Sequence, residues 1–384
     1  MGKRILRTKL CDILGIEYPI LCAGMGPSLV GEKTGTPKEL VVAVSEAGGL
    51  GVLGASGFTV EEMRNEIRAI KKLTDKPFGV DLLLPSQIVE AGDQVQKGPQ
   101  EIPLAELIKS LPKAHYDWIM KVKEDLKLPE IEALARIDST VYRPHASVKV
   151  CIEEGVPLFC SGLGNPGFMV PEAHAAGMKV LGIAGNTKNV RRIAQSGVDL
   201  VVAQGYEGGG HTGRIGSMAL WPQSVDAAAP TPVLAAGGVG DGRGIAAALA
   251  VGCVGVWVGT RFLASKEGGA LDVQKETILE ATDEDTRRTY LYTGKTSRAI
   301  YNRFHDLWEA SGLDPLPFPT QVIFASALAD MFNKARKKEF MGPFSGQVSG
   351  LIKEIKPAAQ ILADLVEEAV DVLTRRLPAS VVAG

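Results

Sequence analysis

Apolar residues along this chain fall into short, nearly uninterrupted runs that close on glycine or another small residue. Between them lie longer stretches in which apolar positions recur every three or four residues. The first pattern suits strands covered on both faces and the second suits amphipathic helices, so their alternation marks parallel βαβ units. Eight strand runs can be drawn: ILCAGM (20–25), LGVLGA (50–55), FGVDLLL (78–84), LFCSGL (158–163), KVLGIAG (179–185), LVVAQG (200–205), VLAAGG (233–238) and GVWVGT (255–260). Helical patterns lie at PKELVVAVSEAG (37–48), VEEMRNEIRAIKKL (60–73), NVRRIAQSG (189–197) and GRGIAAALAVG (242–252), each ending near a glycine or a turn. Eight units predict an α/β fold, a closed (β/α)8 TIM barrel. The competing open, doubly wound sheet usually carries fewer strands.

Two stretches fall outside the repeat. Residues 87–149 form a polar, helical insertion after the third strand, too long for a βα loop, and are expected to make a lid or cap on the catalytic face. Beyond about residue 266 the pattern turns helical, with apolar spacings of three and four in TQVIFASALADMFNKARKKEF and KPAAQILADLVEEAVDVLTRRL. The chain is therefore read as a barrel over 1–265, carrying the insertion 87–149, and a helical C-terminal extension over 266–384 packed on the barrel, partly over its mouth.

Composition narrows the partners. Over 384 residues the hydrophobic fraction is 45% and the charged fraction 22%, as in ordinary globular proteins. With 42 basic and 44 acidic residues the net charge is -2, which offers no electrostatic reason to bind nucleic acid or an anionic membrane. The basic start MGKRILRTKLCDILG lacks the apolar stretch and cleavage site of a secretory signal, and no run reaches the roughly 18 apolar residues of a membrane span. A cytoplasmic enzyme is the expectation. The five cysteines are odd in number and widely spaced, without C-x-x-C, and suggest neither a disulfide framework nor a metal site. Most read as small buried apolar residues.

In such a barrel the catalytic groups gather at the C-terminal ends of the strands. After the sixth run, QGYEGGGHTGRIG sets five glycines within ten residues around a single histidine, His211. Glycine at that density suits close backbone approach to a ligand, and an imidazole there could act as base, acid or substrate orienter; a mobile surface loop is the bland alternative. AAGGVGDGRG (235–244) closes the seventh run with Gly237 and Gly238 and opens a helix that Asp241 should cap. GVWVGTRF closes the eighth run and offers the Thr260 hydroxyl. These ends of strands seven and eight are where barrels commonly bind phosphate. The glycine string in AAGGVGDGRG could pass for a dinucleotide fingerprint, but it comes too late in the series to carry that reading. The turn in PILCAGMGP would let a flat ring lie against backbone near Met25. Asp81, the one charge in FGVDLLLP, needs a polar partner or a ligand.

At this point the sequence resembles the nitronate monooxygenase family, formerly 2-nitropropane dioxygenases, which shares its barrel with FMN-dependent enoyl reductases and NADH:quinone reductases. The likeness runs through PILCAGM, VSEAGGLGVLG, FGVDLLLP, VVAQGYEGGGHTG, AAGGVGDGRGIAAALAVG, GVWVGTRF, TGKTSRAIYN and SGQVSGLIKEIKPAAQILADLVEEA. It implies FMN lying against Ala23, Gly24, Met25, Asp81, Gln204 and Gly209. It places the phosphate at Gly238, Gly259 and Thr260, flanked by Trp257 and Val258, and makes His211 the catalytic residue. Two departures stand out: Asp81 replaces the family's usual asparagine, and Glu207-Gly208-Gly209-Gly210-His211 replaces E-A-G-G-H. An ionised Asp81 could accept from a flavin N–H but could not donate to a carbonyl.

The activity this implies is oxidation of an alkyl nitronate, with O2 as co-substrate, to a carbonyl compound and nitrite. The rival is an NAD(P)H-dependent reductase of an enoyl thioester or quinone, slightly favoured by the long insertion. A flavin-binding protein without catalysis is a third class. A homodimer is one assembly compatible with these features. Arg298 and Asn302 of SRAIYN either reach the site or hold the fold, and the second role is preferred.

Overall fold

A computed structural model describes residues 5–30, 32–93, 101–136 and 140–382. All eight runs form strands: β1 (Ile20–Cys22), β2 (Leu50–Gly54), β3 (Gly79–Leu83), β4 (Leu158–Gly162), β5 (Lys179–Ala184), β6 (Leu200–Gln204), β7 (Val233–Ala236) and β8 (Gly255–Val258). They pair in the cyclic order β1-β8-β7-β6-β5-β4-β3-β2, a closed barrel. Each strand stops at or before the end of its run, because the small residues that follow leave the ladder and build the loops.

Side chains alternate across the barrel wall. Leu21, Val52, Cys160, Val202, Leu234 and Trp257 meet in the lumen. Their neighbours Cys22, Leu53, Phe159, Ala203, Ala235 and Val258 pack outward against the helices. By the same alternation Asp81, between outward Val80 and Leu82, turns inward, as does Gln204 next to outward Ala203. The lumen is shut at the opposite end by the N-terminal helix Lys9–Leu14, capped by Thr8, whose Leu10, Cys11 and Leu14 join the lumen cluster. All five cysteines are free and buried.

After β8 only the one-turn helix Thr260–Leu263 follows before the chain leaves the barrel. The vacant slot in the outer layer, between the helix after β7 (Gly242–Ala250) and the helix after β1 (Lys38–Glu46), is filled by Ala358–Asp371 from the far end of the chain. Its Ile361, Leu362, Leu365 and Val366 are buried, each worth roughly 1.5–3 kcal/mol. The crossing is tight: a Cβ on Gly242 would lie 2.3 Å from the Ala369 amide nitrogen.

A second core lies beside the barrel. Leu104, Ile108, Ile119 and Val122 of the insertion pack with Phe304, Trp308, Phe324 and Phe332 of the C-terminal extension. The extension carries, besides its helices, an antiparallel hairpin in which Thr286–Thr289 pairs with Ser297–Ile300. Residues 94–100 and 137–139 of the insertion lie outside the described residues. Among the described residues no helix is long and apolar enough to cross a membrane.

Candidate active site

The loop after β6 is held by the extension. Gly210 takes a positive φ of 67°, and Gly210–His211 then adds as a third strand to the hairpin, with His211 opposite Ser297 and Gly210 opposite Arg298. The Gln204 amide donates to the His211 carbonyl at 2.7 Å. Arg298, among the largest fully buried side chains, donates from Nε and Nη2 to the Tyr206 carbonyl at 3.2 and 3.1 Å and stacks 4.4 Å over the Tyr206 ring. Its planar fork suits that double contact. Asn302 caps the helix Arg303–Ser311 and donates to the Tyr292 hydroxyl. Both SRAIYN residues thus support the loop and the extension from beneath.

His211 is half-buried, and its Nε2 lies 2.9 Å from the Thr293 hydroxyl. Burial first, and the nearby Lys295 ammonium second, push its pKa down to about 4, so the ring is neutral at neutral pH. Thr293 and Lys295 belong to TGKTSR, far along the chain from the loops that follow the strands. Glycine flanked by threonine and lysine in a helical region was the available signal.

The opposite side of the mouth is built by the loop after β1. Ala23 faces the lumen, its N–H donating to the Val258 carbonyl. The Thr36 hydroxyl accepts from the Met25 N–H at 3.0 Å and donates to the Ala23 carbonyl at 2.7 Å, which holds the turn flat. Gly24 lies against Asp81: a Cβ there would stand 2.2 Å from Asp81 Cβ. Asp81 is buried, its Oδ1 has no hydrogen-bond partner, and desolvation holds its carboxyl well above the usual carboxylate range.

Strands β7 and β8 run side by side, Ala236 opposite Trp257, so the loops after them leave as neighbours. Gly237 and Gly238 have φ of 78° and 80°, a left-handed pair open to glycine. Met25 Sδ would be 3.8 Å from a Cβ on Gly259. The Thr260 hydroxyl accepts from the Gly346 N–H at 2.9 Å and keeps its own proton to donate. Gly209 touches the same segment, a Cβ on it falling 2.7 Å from the Gly346 nitrogen. The Ser345 hydroxyl, wholly buried there, has no partner. SGQVSG, a string without an expected role, therefore seals the seam between the loops after β6 and β8.

Of the expected contacts, Ala23, Gly24, Met25, Asp81, Gln204, Gly237, Gly238, Trp257, Gly259 and Thr260 collect in or around the mouth of one lumen. Val258 is the exception: its side chain packs into the outer helix layer and its carbonyl is taken by Ala23, because β8 exposes alternate residues and Trp257 has the inward position. A flat, polar-edged ring with a phosphate tail fits what remains. A Cβ on Gly259 would meet nothing nearer than the Ala23 Cβ and Met25 Sδ, Asp81 holds a polar atom without a partner, and Gly237 and Gly238 put no Cβ at the end of β7.

A closed parallel barrel with this mouth falls among the flavin-dependent oxidoreductases. The chain belongs to the nitronate monooxygenase family, whose sequence pattern matches residues 7–368. It is 36% identical over 382 residues to "Putative monooxygenase Rv1533" of Mycobacterium tuberculosis, covering 95% of this chain and 97% of that protein. Among solved structures it is similar to FabK from Thermotoga maritima (31% identity, TM-score 0.73, 98% of this chain and 100% of that one). It is similar also to nitroalkane oxidase from Streptomyces ansochromogenes (28% identity, TM-score 0.77, 95% and 99%).

Proposed function

We propose that this chain uses FMN and O2 to oxidise alkyl nitronates to carbonyl compounds and nitrite, with His211 as its catalytic residue. The observation that carries the reading is the charge around that imidazole. Among the described residues Lys295 is the one charged group that acts on it. Glu207, the carboxylate of the same loop, is occupied in accepting from the N–H and hydroxyl of Ser217 at the start of the helix Ser217–Ala228. A lysine ammonium acting on the imidazole suits an anionic substrate beside it, and a nitronate is an anion. The family match and the likeness to a nitroalkane oxidase support the same choice.

The flavin would supply the redox chemistry. Ala23, Gly24, Met25, Asp81, Gln204 and Gly209 would hold its ring, and Gly237, Gly238, Gly259 and Thr260 its phosphate. The Thr293 hydroxyl donates to the Lys295 carbonyl at 3.2 Å. From that network the neutral His211 is assigned its proton on Nε2, which leaves Nδ1 as a bare acceptor. When a neutral nitroalkane enters, Nδ1 removes its α-proton. When a nitronate enters, its charge offsets Lys295, draws a proton onto Nδ1, and the resulting N–H orients a substrate oxygen.

The likeness to FabK favours, as second reading, an NAD(P)H-dependent reduction of an enoyl thioester or quinone with His211 beside the acceptor. Anaerobic mixing of the purified protein with a propyl nitronate, and separately with NADPH or NADH, decides between them by loss of the oxidised flavin's visible absorbance. Bleaching by nitronate alone is expected; bleaching by a pyridine nucleotide and none by nitronate would overturn the first reading. His211→Ala should lower turnover by about 10²-fold or more while the flavin stays bound.

A further inference from the structure

Asp81 sits within β3 with its side chain turned into the lumen and the residue 8% exposed. The residues beside it in the sheet carry no charge: Gly54 on β2 and Cys160 on β4. From above, Gly24 packs its bare Cα on the aliphatic half of the side chain, with Oδ2 3.0 Å from where a Cβ would be. Oδ1 is sealed without a partner. The backbone of Gly162 is the one group that favours the charged form, and among the described residues no lysine, arginine or histidine acts on the carboxyl. The titratable group facing it is the Cys160 thiol, itself pushed up by burial and by Asp81.

A charge stranded on a sealed oxygen in an apolar lumen is costly, and an acid so placed keeps its proton instead. The neutral acid puts an uncharged carbonyl at Oδ1 and leaves its O–H to Oδ2, the oxygen beside the Ala23–Met25 turn. We infer that Asp81 works as a neutral carboxylic acid whose O–H donates a hydrogen bond to an acceptor on the edge of the bound flavin ring. The inference rests on the flavin reading above and reverses what an ionised aspartate would do there. A carboxylate would oppose the electron density that the ring gains on reduction, whereas a neutral donor stabilises it.

The test is the midpoint potential of the bound flavin in wild type and Asp81→Asn from about pH 6 to about pH 9. At neutral pH the two potentials should coincide, because acid and amide are both uncharged donors. The wild type should fall below the variant only as pH rises through the pKa of the carboxyl. A higher potential for Asp81→Asn already at neutral pH would mean that a negative charge had been removed, and would overturn the inference. The infrared difference spectrum of the wild type on reduction needs no variant to fold. A protonated-carboxyl C=O band that shifts on reduction is expected, and its absence overturns the inference as well. A wild type that binds no flavin fails the flavin reading itself and takes this inference with it; a flavin-loaded wild type with an ionised Asp81 fails the inference alone.

Discussion

His211 Nε2 and Thr293 Oγ1 meet at 2.9 Å although one belongs to the loop after β6 and the other to the turn of a hairpin in the C-terminal extension. The contact sets the ring's orientation and its tautomer together. Thr293→Val removes the hydroxyl at nearly constant volume and leaves Nε2 without its partner. A neutral hydrogen bond of this kind is worth about 1 kcal/mol, so kcat/KM should fall roughly fivefold with flavin content unchanged. The pH dependence of kcat/KM should shift as well. A loss of flavin would show that the hydroxyl serves the cofactor instead.

Substrate charge should be felt as a proton. With a pKa of about 4, His211 is neutral in the free protein at pH 7. A bound nitronate cancels part of the Lys295 field and raises that value, so anion binding should take up a fraction of a proton near pH 6 to 7. Calorimetric titration in buffers of different ionisation enthalpy measures it. Lys295→Met should weaken nitronate binding and, because the ammonium holds the imidazole's pKa down, move the protonation of His211 to higher pH.

Gly237 tests the seam between β7 and its loop. Its φ of 78° is left-handed, and a Cβ would stand 2.8 Å from the Gly205 carbonyl oxygen. Gly237→Ala should therefore cost more than the roughly 1–2 kcal/mol of left-handed strain alone. Denaturant unfolding would read the loss, and flavin retention on gel filtration should fall with it.

Stability should also record a histidine away from the mouth. His305 is 1% exposed, its Nε2 has no partner, and burial, its largest influence, pushes its pKa down to about 4. The unfolded chain binds this proton near pH 6.5 and the folded one only near 4, so stability is full above pH 6.5 and falls as pH drops through that window. The loss reaches up to roughly 3 kcal/mol at pH 4. His305→Asn should flatten the fall in unfolding free energy between pH 6.5 and 4; an equal fall in both proteins would assign it to other groups.

What the sequence by itself determined is the part of the molecule that local pattern controls. Eight apolar runs closing on small residues specify eight buried parallel strands, since a strand covered on both faces needs no alternation of polarity. The glycines at 209, 210, 237 and 238 mark their own loops, because positive φ or close backbone approach excludes side chains there. Asp81 was legible as a lone charge in an apolar strand. Only the tertiary structure decided which residues complete the mouth and the wall. Thr293, Lys295 and Ser345 reach the loops after β6 and β8 from segments far away in the chain, and Ala358–Asp371 fills the outer slot that β8 leaves empty. Nothing in a local window predicts such contacts, because they are set by which apolar faces and unpaired strand edges remain after the barrel has closed. His211 shows the division: its glycine loop singled it out, but its tautomer, its lowered pKa and its partner come from a hairpin that the fold brings to it.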